Sequence, residues 1–229
     1  MTSDDSLRKL GTEKFEMTVE MQKYILCYGD SNTWGWPPSG WGRHSQDQRW
    51  PGVLELTLGD GYHIIEAGQP GRAVKSGFGD PDEEHRELYQ CLNSSQQMDL
   101  VILMLGINDL FIRPSDSADD VASNLGAIVL GIETFGDGTD SNTPLILIVS
   151  PPYLEQDTES QFAMFDGQLV QKSKQLGGHY EQLANLHSCE YFDAATAIRS
   201  SLVDGVHLDA DAHVTLGQAL APVCREILK

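Results

Sequence analysis

Apolar positions along this chain fall into five short runs, with longer stretches between them where they recur every three or four residues. The runs are 24–28 (YILCY), 62–67 (YHIIEA), 99–105 (DLVILML), 144–150 (PLILIVS) and 190–193 (EYFD). Short apolar runs closed by Gly, Pro or Asp predict strands. The third run is apolar from Leu100 to Leu105, which suits a central parallel strand covered on both faces.

The intervening stretches predict helices over 47–58, 82–97, 116–135, 159–187 and 209–228, the fourth interrupted near Gly177-Gly178. In 47–58 the apolar face is Trp50, Val53, Leu54 and Leu58, and Pro51 is tolerated in the first turn. Strands alternating with helices at this spacing predict an α/β fold, a three-layer α/β/α sandwich around a five-stranded parallel sheet. Residues 1–22 are polar and mixed in charge, with weak periodicity around Phe15, Met17, Val19 and Met21. They read as an N-terminal tail, and 23–229 as a single domain.

Composition narrows the partners. Among 229 residues, 15 are Lys or Arg and 34 Asp or Glu, a net charge of −19 that argues against nucleic acid or an anionic membrane. Cys27, Cys91, Cys189 and Cys224 are far apart and form no C-x-x-C pair, and Cys27 and Cys189 fall in predicted strands as small apolar residues. No run reads as a signal peptide or is long enough to cross a bilayer. The expectation is a cytoplasmic, reduced, cofactor-free protein, with homo-oligomer formation left open.

The chemistry starts where the first strand breaks at Gly29-Asp30-Ser31-Asn32. A buried strand running into such a turn presents a serine hydroxyl at the carboxyl end of a parallel sheet, where α/β folds place ligands. The following helix start would aim N–H groups at an anion beside that hydroxyl. Taken alone, the turn reads first as an ordinary strand-to-helix turn with Ser31 or Asn32 only capping the helix, and the partners found downstream change that. Asp30 is expected to hold the turn by local hydrogen bonds.

Parallel strands bring further groups to the same rim. Gly71 follows the second strand, Asn108 the third, and Asp204-Gly-Val-His207 precedes the last helix. The spacing of Asp204 and His207 lets the carboxylate accept the Nδ1 hydrogen while Nε2 faces outward to take the Ser31 proton. Serine needs that help, being a poor nucleophile at neutral pH. The N–H groups of Ser31 and Gly71 and the Asn108 amide would hold the oxyanion, Gly71 allowing close approach for want of a Cβ. Asp109 is expected to end the strand and cap the helix. The bland alternative for Asp204 and His207 is a surface turn with a solvated histidine. His44, His63, His85, His179, His187 and His213 show no metal-ligand spacing and read as surface or packing residues, so no metal is expected.

Together, Gly29-Asp30-Ser31-Asn32, Gly71, Gly106-Ile107-Asn108-Asp109 and Asp204-Gly205-Val206-His207 resemble the four blocks of the SGNH (GDSL-type) hydrolase superfamily, in family order. The strings ILCYGDSNTWGW, LGDGYHIIEAG, DLVILMLGINDL and VSPP most resemble bacterial arylesterases with acyltransferase activity. The resemblance implies a flavodoxin-like sandwich, a triad of Ser31, Asp204 and His207, and an oxyanion hole of Ser31, Gly71 and Asn108. It also implies substrate-binding positions at Trp36, Phe111 and Val206. Asn32 departs from it, replacing the usual leucine. So do Gly71, where the relatives carry alanine, Phe111, which replaces a polar residue, and the shorter region after Gly77. G-x-S-x-G is absent, so the nucleophile elbow of the α/β-hydrolases is not the model.

The expected activity is hydrolysis of small carboxylic esters, acetyl or aryl, through an acyl-enzyme, with acyl transfer to alcohols where water is excluded. One alternative keeps the triad and makes the substrate an O-acetylated carbohydrate. The other, from a different class, is a non-catalytic flavodoxin-like binding module.

Overall fold

The architecture is taken from a computed structural model that describes residues 22–75, 85–94, 97–135, 143–156 and 167–229. Its strands are β1 (Lys23–Gly29), β2 (Tyr62–Gly68), β3 (Leu100–Met104), β4 (Leu145–Ser150) and β5 (Glu190–Asp193). All pair in parallel, in the order β2-β1-β3-β4-β5. The chain therefore leaves β1 toward one edge and returns on its other side for β3. The carboxyl ends of β1 and β3 form a topological switch point, where loops diverge and leave a crevice.

Seven α-helices lie among the described residues: α1 (Ser31–Trp34), α2 (Trp50–Leu58), α3 (Arg86–Leu92), α4 (Ile107–Ile112), α5 (Ala118–Phe135), α6 (Gly167–His187) and α7 (Ala210–Ile227). Side chains alternate across the sheet with the period of two that extended backbone imposes. Leu26, Tyr28, Val101, Leu103, Ile146 and Ile148 meet Leu88 of α3, Val121 and Leu125 of α5 and Tyr180 of α6. Ile25, Cys27, Leu100, Ile102, Leu147 and Val149 meet Leu54 of α2 and Leu216, Leu220 and Cys224 of α7. Both faces are thus covered, as a continuous apolar β3 requires.

Helix starts follow local chemistry. Pro51 sits in the first turn of α2, where its missing N–H costs nothing. At α5, Ser117 and Asp120 form a reciprocal capping box: Ser117 Oγ accepts from Asp120 N–H at 3.1 Å, and Asp120 Oδ2 accepts from Ser117 N–H at 2.8 Å. No helix among the described residues is long and apolar enough to cross a membrane.

The structure corrects two expectations about the helices and strands. First, α6 runs unbroken through Gly177 and Gly178. Gly177 faces the sheet, where a Cβ would stand 3.2 Å from Tyr191 Oη, so the glycine serves close approach of helix and sheet. Second, Cys189 lies just before β5 and is half-buried, because the chain turns at Ser188 (φ 55°) and enters the sheet only at Glu190. Most of the expected tail (residues 1–21) and the flanks 82–84, 95–96 and 159–166 of the expected helices lie outside the described residues.

Candidate active site

Ser31 opens α1 directly after β1. The N-cap is Asp30, whose carboxylate accepts the Asn32 N–H at 2.9 Å, so neither Ser31 nor Asn32 is spent on capping. The helix expected here is a single turn ending at Gly35. Its contribution is therefore a local set of N–H groups and not a long macrodipole. Burial pushes the Asp30 carboxyl up to about 6, even against the Asn32 N–H that favours its ionised form.

Opposite lies the loop before α7. Ser201 N–H donates to His207 O and Gly205 N–H to Ser201 O, both at 2.8 Å, and Glu155 N–H donates to Gly205 O at 3.0 Å. In that loop Asp204 Oδ1 accepts from Val206 N–H at 3.0 Å and from His207 N–H at 2.9 Å. Its other oxygen, Oδ2, is 2.6 Å from His207 Nδ1. Burial opposes ionisation of Asp204, but these bonds outweigh it and hold the carboxyl below its ordinary range. A carboxylate accepts only, so Nδ1 carries the hydrogen and Nε2 presents its lone pair. That lone pair faces Ser31 Oγ at 3.0 Å. The sequence-predicted Ser31, His207 and Asp204 therefore form one hydrogen-bonded series, although Ser31 and His207 are 176 positions apart.

The expected oxyanion groups share this rim. Asn108, in the first turn of α4, donates one Nδ2 hydrogen to Arg72 O at 2.9 Å, leaving the second hydrogen of that nitrogen for another acceptor. Arg72 in turn fixes the loop that carries Gly71. Its guanidinium donates to Gly29 O at 2.8 Å, to Ala67 O and to Gln69 Oε1 at 3.1 Å, pairs with Glu87, and lies 4.0 Å over the Tyr28 ring. Gly71 itself has φ +80°, and a Cβ there would meet nothing within 4 Å. The protein thus requires glycine for its backbone conformation, and crowding within the chain is not the reason.

Asp109 differs from expectation. It is fully buried within α4 and accepts from Val74 N–H at 2.7 Å and Lys75 N–H at 3.0 Å, with Arg113 at 3.1 Å. It anchors the segment that follows Gly71 and does not cap the helix, whose N-cap is Gly106. Burial raises its carboxyl above the usual range, in opposition to those donors.

Of the positions implied for substrate, the Trp36 ring lies 6.3 Å from the His207 ring and 5.6 Å from that of Trp34. Phe111 and Val206 both pack, half-buried, against the apolar cluster containing Tyr28, Leu105 and Tyr180. Among the remaining histidines, buried His213 meets His44 edge-on at 5.0 Å, and His44 Nε2 lies 3.3 Å from Leu208 O in the His207 loop. Burial, reinforced by His44 and Arg49, pushes its ring down to about 3, so it stays neutral. No group of His, Cys, Asp and Glu among the described residues is arranged to hold a metal ion.

The sequence reading missed Asn32 and Arg72. Asn32 Oδ1 accepts from Leu208 N–H at 3.1 Å, and its Nδ2 donates to Val206 O at 3.2 Å. The available signal was an amide at the position where the resemblance carries leucine.

Residues 27–215 match the GDSL-like Lipase/Acylhydrolase family. No match is found among the curated proteins. Among solved structures the chain is similar to a carbohydrate acetylesterase family member from Sinorhizobium meliloti, at 36% identity and a TM-score of 0.81, covering 90% of this chain and 99% of the other. It is similar as well to the native aryl esterase of M. smegmatis, at 35% identity and a TM-score of 0.79, covering 90% and 100%. A G-D-S-L family lipolytic protein from Veillonella parvula shares the fold at 17% identity and a TM-score of 0.63, over 89% and 99%.

Proposed function

Because this chain belongs to the GDSL-like lipase/acylhydrolase family, we propose that it is a serine esterase working through an acyl-enzyme on Ser31. Membership makes it an ester hydrolase, which sets aside the non-catalytic binding module. Residues 23–229 are read as one hydrolase domain. The observation that carries the site assignment is the continuous series from Ser31 Oγ to His207 Nε2 at 3.0 Å and from His207 Nδ1 to Asp204 at 2.6 Å.

In this reading Ser31 Oγ attacks the ester carbonyl carbon while its proton passes to His207 Nε2. Asp204 keeps the ring in the required tautomer and stabilises the imidazolium. Negative charge gathering on the carbonyl oxygen is met by the N–H groups of Ser31 and Gly71 and the second Nδ2 hydrogen of Asn108. Collapse expels the alcohol, which leaves with the proton from His207. Water, activated in turn by His207, then releases the acid; an alcohol entering at that stage would take the acyl group instead. Trp36, Phe111 and Val206 are assigned to the walls around the ester.

The substrate is assigned as a small ester with a short acyl group, an acetyl or aryl ester. The similarity to the Sinorhizobium meliloti carbohydrate acetylesterase supports a second reading, an O-acetylated sugar hydrolysed by the same groups. The test is an ester panel varying acyl length, aryl leaving group and acetylated sugar, run on wild type and Ser31→Ala. Activity falling sharply beyond short acyl groups and lost with Ser31 supports the proposal. Preference for acetylated sugars selects the second reading. Equal activity in Ser31→Ala refutes both.

A further inference from the structure

We propose that Asn32 is a positioning residue for the reaction, its carboxamide setting where the His207 loop sits relative to Ser31. The inference rests on the assignment of Ser31 and His207 given above. Among the described residues, the bonds that Asp204 makes come from Val206 and His207, within its own loop. They orient the imidazole inside that loop, but they leave open where the loop stands against the nucleophile turn. Apart from the His207–Ser31 contact itself, other tethers of the loop among the described residues, such as those from Glu155 to Gly205 and from His44 to Leu208, come from segments that do not carry Ser31.

Asn32 makes the missing connection. It is the residue after Ser31, and its amide straddles His207: the oxygen accepts from Leu208 N–H and the nitrogen donates to Val206 O. The residues flanking the base are thus bonded to one planar group next to the nucleophile. Asn32 is only 2% exposed, and its own N–H is held by Asp30, so the amide has little freedom to turn. A leucine of similar volume would fill the space yet leave the Val206 carbonyl and Leu208 N–H without this partner. The loop would relax outward to find water, carrying His207 Nε2 away from Ser31 Oγ. Misplacement by about 1 Å costs on the order of 10²-fold in such chemistry.

The test compares wild type, Asn32→Leu, Asn32→Asp and Ser31→Ala on para-nitrophenyl acetate, with competent sites counted by end-point labelling with a fluorophosphonate. For Asn32→Leu, kcat per labelled site is expected to fall about 10²-fold with KM nearly unchanged. Asn32→Asp keeps the acceptor toward Leu208 but sets an oxygen against the Val206 carbonyl; its kcat is expected to fall about tenfold. A merely structural role would instead lower the melting temperature and the number of labelled sites, with kcat per site within about twofold of wild type. That outcome in Asn32→Leu overturns the inference. Should Asn32→Leu fail to fold, the same outcome in Asn32→Asp overturns it. Loss of activity in Ser31→Ala keeps the serine assignment intact whichever way Asn32 falls. An active Ser31→Ala overturns that assignment and this inference together.

Discussion

β3 runs through five consecutive apolar residues, Leu100–Met104, each at most 1% exposed. The turn beyond neighbouring β1 is almost as well buried, yet it reads Asp30, Ser31, Asn32 and Thr33. In the strand, burial is satisfied by volume alone, so any well-packed apolar set would serve. At the rim every buried polar group needs a named partner, and most have one: Asp30 with Asn32, Asn32 with the His207 loop, Asp109 with Val74 and Lys75. The strand contributes stability with little chemical information. The rim holds the groups proposed for the chemistry, at an electrostatic cost visible in the raised carboxyl of Asp30.

The contrast breaks first at the proposed triad. Ser31→Ala and His207→Ala are each expected to lower kcat by on the order of 10⁴–10⁶, similarly to one another because the groups act as a unit. Their melting temperatures should stay close to wild type. Steady-state hydrolysis beside thermal denaturation checks both halves, and a His207→Ala variant with near-normal turnover contradicts the assignment. Next, Asn108→Ala should lose about 10²–10³ in kcat, roughly 3–4 kcal/mol of oxyanion stabilisation. Its bond to Arg72 O predicts a small accompanying loss of stability.

Leu103→Ala in β3 should do the reverse. Deleting a fully buried leucine costs about 2–5 kcal/mol of folding stability, read by urea denaturation, with kcat per folded molecule unchanged. A large kcat effect there would blur the division between strand and rim.

The smallest expected effect is a pH dependence in which two buried groups oppose each other. An unfolded Asp titrates near ~3.9 and an unfolded His near ~6.5. Folded Asp30, pushed up to about 6, retains a proton that the unfolded chain has released. Its contribution is present below about pH 4 and lost as pH rises through 6. Folded His213, pushed down to about 3, lacks a proton that the unfolded chain takes up. Its contribution is present above about pH 6.5 and lost as pH falls toward 3. Each slope is about 1.4 kcal/mol per pH unit, so across pH 4–6 they offset. Relative to wild type, His213→Gln should gain stability on acidification through that window, and Asp30→Asn should lose it. Urea denaturation across the window checks the signs; curves parallel to wild type contradict them.

Much of this was legible in the sequence. Five apolar runs gave the sheet because residues 99–105 and 144–150 have the length and patterning of buried strands. The Gly-Asp-Ser turn, Asn108 and the Asp204–His207 spacing pointed to the rim because these residue types are costly to bury unless used. Other features depended on three-dimensional proximity. Gly177-Gly178 looked like a break, but whether glycine ends a helix depends on what lies opposite, here Tyr191. Asp109 looked like a cap, yet its partners Val74 and Lys75 come from a loop about one strand away. The role of Asn32 was hidden because its partners lie more than 170 positions on.

The central claim is that Ser31 Oγ, deprotonated by His207, carries the acyl group. Peptide mapping by mass spectrometry after labelling with a fluorophosphonate tests it most directly. A single adduct on the peptide containing Ser31, absent in Ser31→Ala and strongly slowed in His207→Ala, is the predicted result. An adduct elsewhere, or ester hydrolysis by wild type that never labels, would contradict it.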